Sequence, residues 1–186
     1  MTSPFRRLSR FSLAAGFAFG IATAAFAVGD NNDDTNPPPK TQTTKTCTGG
    51  KVWDKAKKEC VNPKKSSFND DDLYKFAREF AYAGQYDNAI TVLNLARNQN
   101  DPRILNYLGY ANRKAGRIDL AMTYYKKALA IDGNYLLARS YMGQGLIVQG
   151  KIEEARAQLI EIRDRGGKDT YAYHALYDAL KRKLTY

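Results

Sequence analysis

The chain has 186 residues, which is enough for one ordinary domain with short appendages. It carries 29 Lys and Arg against 19 Asp and Glu, and its net charge of +10 at pH 7 favours anionic partners such as acidic peptides, phospholipid or lipopolysaccharide surfaces and cell-wall polymers. Its single histidine, His174, belongs to no arrangement typical of a catalytic triad, and the sequence contains neither a zinc-binding pattern nor a phosphate-binding loop. We therefore expect no enzyme activity, no cofactor and no metal.

The first 27 residues have the pattern of a secretory signal. Three arginines within the first ten residues precede an uncharged apolar run from Phe11 to Ala24. The next residues, Ala25-Phe26-Ala27, place small side chains at the two positions that signal peptidase accepts. This pattern predicts a signal peptide over residues 1–27 and export to the periplasm or cell envelope of a bacterium. An uncleaved membrane anchor is the alternative, but the run is at the short end for a helix that crosses a bilayer.

Two segments lack the apolar residues that a core needs. Residues 28–46 are rich in Asp, Asn, Thr and Pro and include the triplet Pro37-Pro38-Pro39. Such a segment buries too little surface to offset the entropy of ordering the chain, so we predict a disordered linker. Residues 62–68 form a second, shorter linker.

Between the linkers, residues 47–61 have the pattern of a small β-hairpin. Val52 and Trp53 form the core of the first strand, a polar turn follows, and a second strand returns. Two cysteines in an exported chain favour a disulfide, so we expect Cys47 and Cys60 to be bonded. A two-stranded hairpin alone is marginal in water. Closing a loop of this size contributes about 3 kcal/mol, so the bond decides whether the hairpin persists.

From residue 69 onward, apolar residues recur at three- and four-residue spacing, which indicates amphipathic helices. Glycines recur once every 32 to 34 residues, each between two helical segments, at Gly84, Gly116 and Gly150. Each is followed after three residues by an acid and after five residues by an alanine: Asp87 and Ala89, Asp119 and Ala121, Glu153 and Ala155. The acids would lie in the first turn of a second helix, where the helix dipole favours negative charge. A period near 34 residues indicates stacked helix-turn-helix units.

This pattern resembles the tetratricopeptide repeat family. In that family, a small residue on the first helix of each unit faces a small residue on the second, and here the matching pairs are Ala77 with Ala89, Gly109 with Ala121, and Gly143 with Ala155. The resemblance implies an all-α fold, a right-handed superhelix of three helix-turn-helix repeats over about 70–101, 102–135 and 136–167. A C-terminal helix over 168–183 would cap the apolar face of the last repeat, and the domain would span residues 69–183.

The helical pattern also predicts where the elements begin and end. Pro102 suits the first position of a helix, because proline lacks the amide hydrogen that this position leaves unused. The predicted helices span residues 69–83, 86–98, 102–115, 118–131, 135–149, 152–165 and 168–183.

In tetratricopeptide arrays, the first helices of successive units line a concave groove in which peptides commonly lie. The resemblance therefore implies groove positions in this chain, and these are Tyr74, Arg78, Tyr82, Arg103, Asn106, Tyr110, Arg113 and Gln144. Tyrosine offers a large contact area with few rotatable bonds, arginine holds carboxylates with two hydrogen bonds, and asparagine bonds to a peptide backbone. The clamp of Lys, Asn and Arg with which some members hold a C-terminal carboxylate is absent apart from Arg78.

The sequence thus favours a cell-envelope scaffold that binds another protein or a peptide segment, acidic ones included, in the concave groove. The alternative is a protein that binds anionic cell-wall polymers or membrane surfaces through lysines in and around the hairpin: Lys40, Lys45, Lys51, Lys55, Lys57, Lys58, Lys64 and Lys65. Nucleic acid is an unsuitable partner for an exported chain, and no integral membrane segment is expected once the signal is cleaved.

Overall fold

The computed structural model describes residues 37–184 of the chain. The predicted signal peptide and most of the first predicted linker lie outside the described residues. Within them, the protein has two short strands, β1 (Val52–Asp54) and β2 (Glu59–Val61), and eight α-helices. The helices are α1 (Gln42–Lys45), α2 (Asp70–Tyr82), α3 (Tyr86–Leu93), α4 (Pro102–Lys114), α5 (Ile118–Ile131), α6 (Leu136–Val148), α7 (Ile152–Ile162) and α8 (Tyr171–Leu184). None of these helices combines the length and the apolar character that a bilayer crossing requires. The predicted helical fold with a preceding hairpin is confirmed.

Three helical hairpins follow one another along the chain: α2 with α3, α4 with α5, and α6 with α7. Each first helix is followed by a glycine in the left-handed conformation, with φ of 77° at Gly84, 83° at Gly116 and 77° at Gly150. The amide of the next residue donates to a carbonyl in the last turn of the helix, as Gln85 does to Phe80 at 2.9 Å. This bond closes the helix end, and glycine suits the position because a side chain would strain the conformation. The recurring glycines therefore mark three turns of the same type.

Two glycines allow the helices to approach closely. A β-carbon on Gly109 would lie 2.5 Å from the ring of Tyr125, and one on Gly143 would lie 2.6 Å from the side chain of Leu176 in α8. Tyr125 and Leu176 are both completely buried, so neither side chain moves aside freely in a close-packed core. The glycines are needed for close packing, but their nearest neighbours are large side chains and not the alanines that the family pattern predicts for them.

Three helix ends differ from the prediction by three residues or more. Helix α3 ends at Leu93, well before residue 98, because the carboxylate of Asp70 binds the backbone amides of Arg97 and Asn98 at 2.8 Å each. These amides are thereby drawn out of the helical hydrogen-bond pattern. Helix α7 ends at Ile162 instead of residue 165, and α8 begins at Tyr171 instead of residue 168. Between them, Gly166 lies within the π-helical segment Arg163–Gly167 and turns the chain with a φ of 80°.

The two strands form the predicted hairpin. They run antiparallel with Trp53 opposite Cys60, and the predicted disulfide joins Cys47 to Cys60 at a Cα–Cα distance of 5.5 Å. The carboxylate of Asp54 accepts hydrogen bonds from two backbone amides of the turn, which stabilises the chain reversal. Val52 is completely buried in the same apolar cluster as residues of α2, α3 and α4. The hairpin is therefore docked on the helical domain.

The prediction of a disordered linker over residues 28–46 does not describe the last residues of that segment. Thr41 caps the short helix α1, and this helix lies against α2. Glu79 on α2 is only 5% exposed. Its carboxylate accepts hydrogen bonds from the backbone amides and the hydroxyls of Thr41 and Thr44. A buried carboxylate requires such donors. Composition alone does not reveal them, because the acid lies far along the chain from the threonines.

The N-terminal module, defined here as residues 41–61, occupies the position of a missing helix. By the repeat spacing, Glu79 of α2 corresponds to Ala111 of α4 and to Gly145 of α6. A β-carbon on Gly145 would lie 2.9 Å from Met122 of α5, so this helix face packs against the second helix of the preceding unit. No such helix precedes α2 in the described part of the chain, and the N-terminal module covers the face instead. The module therefore caps the first repeat, as α8 caps the last.

Candidate functional site

The first helices of successive units contact one another, α2 with α4 and α4 with α6, and each contributes one tyrosine to a line across them. The rings of Tyr82 and Tyr110 are stacked, with centroids 5.9 Å apart and an interplanar angle of 22°. The rings of Tyr110 and Tyr141 are 5.0 Å apart and tilted by 49°. We call Tyr82, Tyr110 and Tyr141 the tyrosine ladder. Aromatic pairs at these distances attract each other beyond the effect of buried area, which holds the rings in place.

The ladder follows from the repeat period. Tyr110 lies 28 residues after Tyr82, and Tyr141 lies 31 residues after Tyr110. Each interval is about one helical turn short of the repeat period. Each successive tyrosine therefore lies about one turn nearer the start of its helix, and the line crosses the three helices diagonally. Tyr171, at the start of α8, continues the same spacing.

Two of the predicted groove arginines are engaged within the fold. Arg103 is paired with Asp71 at 3.2 Å and with Asp101 at 2.9 Å. Arg78 is only 9% exposed, and its Nε donates to the hydroxyl of Tyr107 at 2.9 Å. Arg78 thus joins α2 to α4, and Arg103 joins α4 to the first turn of α2. They therefore hold neighbouring units together.

Two further predicted groove residues are buried between units. Asn106 is completely buried and donates from Nδ2 to the hydroxyl of Tyr135 at 3.2 Å, while its Oδ1 has no hydrogen-bond partner within residues 37–184. Tyr74 is buried, and its ring meets that of Tyr107 edge-on at 5.4 Å. Both side chains therefore take part in contacts between neighbouring units of the stack. Gln144 is half-buried on α6.

Arg113 differs from Arg103 because it forms no ion pair with an acidic residue in the described part of the chain. Its guanidinium lies 5.6 Å from the ring centres of both Tyr110 and Tyr141. Its Nε donates to the hydroxyl of Tyr125 at 3.3 Å. Burial raises the pKa of Tyr110 and of Tyr125 to about 12, so these hydroxyls stay protonated near neutral pH. Arg113 is thus a partly buried positive charge among neutral rings.

Tyr141 is absent from the groove positions that the family resemblance implies, yet it lies in the ladder. The residue is 2% exposed, and its hydroxyl has no hydrogen-bond partner among the described residues. Burial raises its pKa well above the ordinary value, and the nearby Tyr107 and Tyr82 hydroxyls raise it further. The Tyr82 hydroxyl is close enough to act on this pKa, but the two groups lack the geometry of a hydrogen bond. A search for tyrosines one turn short of the repeat period would have identified Tyr141.

The side chains of the ladder face are mainly aromatic, with arginine beside them. Within residues 37–184, no group of three or more His, Cys, Asp and Glu side chains is placed to hold a metal ion. His174 is exposed on α8, and its ring lies edge-on to that of Tyr173 at 5.8 Å. The ladder face offers aromatic surface, arginine charge and hydroxyl groups, which are the groups that recognise peptides.

The similarity of this chain to known protein families lies in its helical repeats. Two tetratricopeptide repeat family models match the chain, one over residues 74–135 and the other over residues 112–180. A solved structure described as the crystal structure of MamA is similar, with 16% sequence identity, a TM-score of 0.46, and coverage of 63% of this chain and 82% of that chain. A comparison with curated proteins finds no match. The repeats indicate a scaffold for protein–protein contacts. Because the two family matches together span residues 74–180, more than half of the sequence, the chain belongs to the tetratricopeptide repeat family.

Proposed function

We propose that the protein is an exported scaffold that binds a peptide segment of another protein along the face formed by α2, α4 and α6. The observation that carries this proposal is the tyrosine ladder with Arg113 beside it. Tyr82 and Tyr110 are half-buried, so part of each ring remains open to a ligand. The tetratricopeptide repeats favour another protein as the source of this ligand.

A line of tyrosines suits an extended peptide. Rings already held against one another lose little side-chain entropy when a ligand binds. The ring centres are 5.9 Å and 5.0 Å apart, near the spacing of roughly 6.6 Å between alternate residues of an extended chain. Side chains on one edge of a peptide would therefore contact successive rings, while the tyrosine hydroxyls bond to its backbone.

The test is affinity capture from envelope extract, with the mature protein as bait and Tyr110→Ala as the main variant. Tyr110 is chosen because it contacts both other rings of the ladder. We expect the captured partner to fall by about tenfold or more, since central aromatic residues carry much of the binding energy of an interface. The matched control is Tyr177→Ala, which removes an exposed tyrosine of α8 and should leave capture unchanged. Equal capture by the parent and by a folded Tyr110→Ala variant would contradict the proposal.

Export is the second part of the proposal. It is supported by the N-terminal pattern, which lies outside the described residues, and by the Cys47–Cys60 bond, because disulfides persist in oxidising compartments. N-terminal sequencing of the protein from fractionated cells provides the test. We expect a periplasmic or envelope form that begins at Val28, and a cytoplasmic form that retains Met1 would contradict this.

A second candidate function is binding to an anionic polymer or membrane surface. Eight lysines between residues 40 and 65 are all exposed, whereas Asp54 and Glu59 are the only acids of that segment. Such a cluster attracts polyanions, and the attraction weakens as salt rises. This observation favours the N-terminal module, and not the ladder face, as the site of polymer binding.

The two candidates separate in a vesicle assay. The triple variant Lys51→Gln, Lys55→Gln and Lys57→Gln removes charge near the hairpin without changing the residues that contact Glu79. If the module binds anionic surfaces, the parent should co-sediment with phosphatidylglycerol vesicles at low salt and the triple variant should do so far less. Tyr110→Ala should sediment like the parent. Equal sedimentation of the parent and the triple variant would remove this candidate.

A further inference from the structure

We infer that Arg113 binds the side-chain carboxylate of an aspartate or glutamate in the peptide that occupies the ladder face. This inference rests on the proposed function and names the chemistry that its central site recognises. Charge, geometry and an unpartnered hydroxyl support it independently.

The charge of Arg113 is not balanced within the described structure. Arg103, the other partly exposed arginine of this face, is paired with Asp71 and Asp101. None of the ion pairs formed within residues 37–184 involves Arg113. Its side chain is nevertheless partly buried. Burying an unpaired charge costs free energy, and an incoming carboxylate would reduce that cost.

Contacts with three tyrosines hold the guanidinium, but among the described residues they leave its two terminal nitrogens without a hydrogen bond. Two rings, those of Tyr110 and Tyr141, lie 5.6 Å from it, and the hydroxyl of Tyr125 accepts from Nε. The terminal nitrogens Nη1 and Nη2 make no hydrogen bond within residues 37–184. These two nitrogens are the parallel donors with which arginine holds a carboxylate. Because the neighbouring rings already fix the guanidinium, little further order is required when the ligand binds.

The hydroxyl of Tyr141 supplies a further donor beside Arg113. It is buried and unpartnered in the described part of the chain, and an unpaired buried hydroxyl is unfavourable. The Tyr82 and Tyr171 hydroxyls are near enough to raise the pKa of Tyr141, so several hydroxyl groups converge here. A carboxylate has two oxygens with about four acceptor positions. It can therefore accept from the guanidinium and from a tyrosine hydroxyl together.

A side-chain carboxylate fits this place better than a chain terminus. Arg113 contacts the inner rings, Tyr110 and Tyr141. Tyr82 extends the aromatic surface beyond Tyr110. The exposed Tyr171 of α8, the helix that packs against α6, lies near enough to Arg113 for this charge to act on its pKa. A peptide that places an acid on Arg113 can thus meet aromatic side chains of α2 and of α8. An internal acidic residue has peptide chain on both sides to contact them, whereas a C-terminal residue has chain on one side only.

The test uses an array of synthetic peptides of about ten residues, long enough to cross three helices when extended. The peptides are acetylated and amidated, carry Glu, Gln or Lys at the centre, and are probed with the mature protein. We expect the parent to retain the Glu set about tenfold more than the Gln set. Arg113→Gln should remove this preference. Arg156→Gln, which removes an exposed arginine of α7, is the matched control and should keep it.

A second variant separates recognition from folding. Tyr141→Phe removes only the hydroxyl, and it should reduce the Glu preference in a protein whose circular dichroism and melting resemble those of the parent. The inference is overturned by equal retention of Glu and Gln peptides by the parent, or by a preference that survives in Arg113→Gln. Stronger retention of Gln peptides with a free C-terminal carboxylate would also overturn it. The proposed function fails separately, if Tyr110→Ala retains every peptide set as the parent does.

Discussion

The carboxylate of Glu79 accepts hydrogen bonds from the backbone amide and from the hydroxyl of Thr41, each at 2.7 Å, across 38 residues of sequence. Thr44 donates to the same carboxylate from its amide and its hydroxyl. One buried acid thus orders a segment whose composition predicts disorder. Glu79 lies on the face of α2 that corresponds to the face of α6 that packs against the preceding unit. The cap of the first repeat therefore depends strongly on a single side chain.

Glu79→Ala should release α1 from the helical domain. Four donors on Thr41 and Thr44 lose their acceptor, and each donor that stays buried and unpaired costs about 1–3 kcal/mol. We expect the amides of residues 41–46 to exchange with deuterium much faster, while those of α6 keep their protection. Glu154→Ala, which removes an exposed acid of α7, should change neither. Unchanged protection of residues 41–46 in Glu79→Ala would show that other contacts hold the segment.

Reduction of the disulfide should open the hairpin before the helices unfold. The bond closes a loop with a sequence separation of 13 residues, and such a loop contributes about 3 kcal/mol in the chain-entropy model. Trp53 lies opposite Cys60 in the hairpin and is the single tryptophan of the chain, so its fluorescence reports on this element. In urea, we expect the reduced protein to lose the folded Trp53 signal at lower denaturant than the helical circular dichroism.

A double variant, Cys47→Ser with Cys60→Ser, controls for effects of the reductant. It should behave like the reduced parent whether or not reductant is present. Coincident fluorescence and dichroism transitions in the reduced protein would mean that the hairpin and the helices unfold as one unit, and the prediction would be wrong.

Gly109→Ala should destabilise the second repeat. The new β-carbon would meet three atoms of the Tyr125 ring at 2.5 to 2.9 Å, and this ring is completely buried. Overpacking of this kind costs about 1–3 kcal/mol, more than the gain of up to about 1 kcal/mol that alanine brings to a helix. Gly133→Ala is the matched control, because its nearest neighbour would be the Leu129 carbonyl oxygen at 3.8 Å. Urea denaturation measures both, and a Gly109→Ala variant as stable as the parent would contradict the packing argument.

The turns between helices could be predicted because each depends on one local residue. A glycine such as Gly84, in the left-handed conformation, acts within a single turn of chain. Pro102 acts in the same way at the start of α4, where Asp101 caps the helix. The local sequence is therefore sufficient to predict these turns and helix starts. The period of the glycines then indicates the repeat architecture.

The division of roles among the groove residues could not be predicted in this way. Repeat position assigns Arg103 and Arg113 equally to the groove. The structure separates them, because Asp71 and Asp101 take up the charge of Arg103 and no acid in the described residues does so for Arg113. Pairing of this kind depends on side chains of a neighbouring unit. A pattern read within one repeat does not contain that information.

Asp70 links the stability of the first repeat to pH. Its carboxylate accepts hydrogen bonds from the backbone amides of Arg97 and Asn98, and these bonds lower its pKa below the ordinary value of 3.8. A group whose pKa is lowered by folding stabilises the protein above its unfolded pKa, and this contribution is lost as the pH falls through the folded pKa. Asp70→Asn should therefore be less stable than the parent at neutral pH, and the difference should shrink as the pH falls below about 4.

The measurement for Asp70→Asn is urea denaturation at a series of pH values. Asp178→Asn, which removes an exposed acid of α8, is the matched control and should not reproduce the loss at neutral pH. The same comparison tests why α3 ends at Leu93, because hydrogen exchange at Arg97 and Asn98 should rise in Asp70→Asn and not in the control. If the stability difference between Asp70→Asn and the parent stayed constant down to about pH 3, the ionised carboxylate would not be the group that holds these amides.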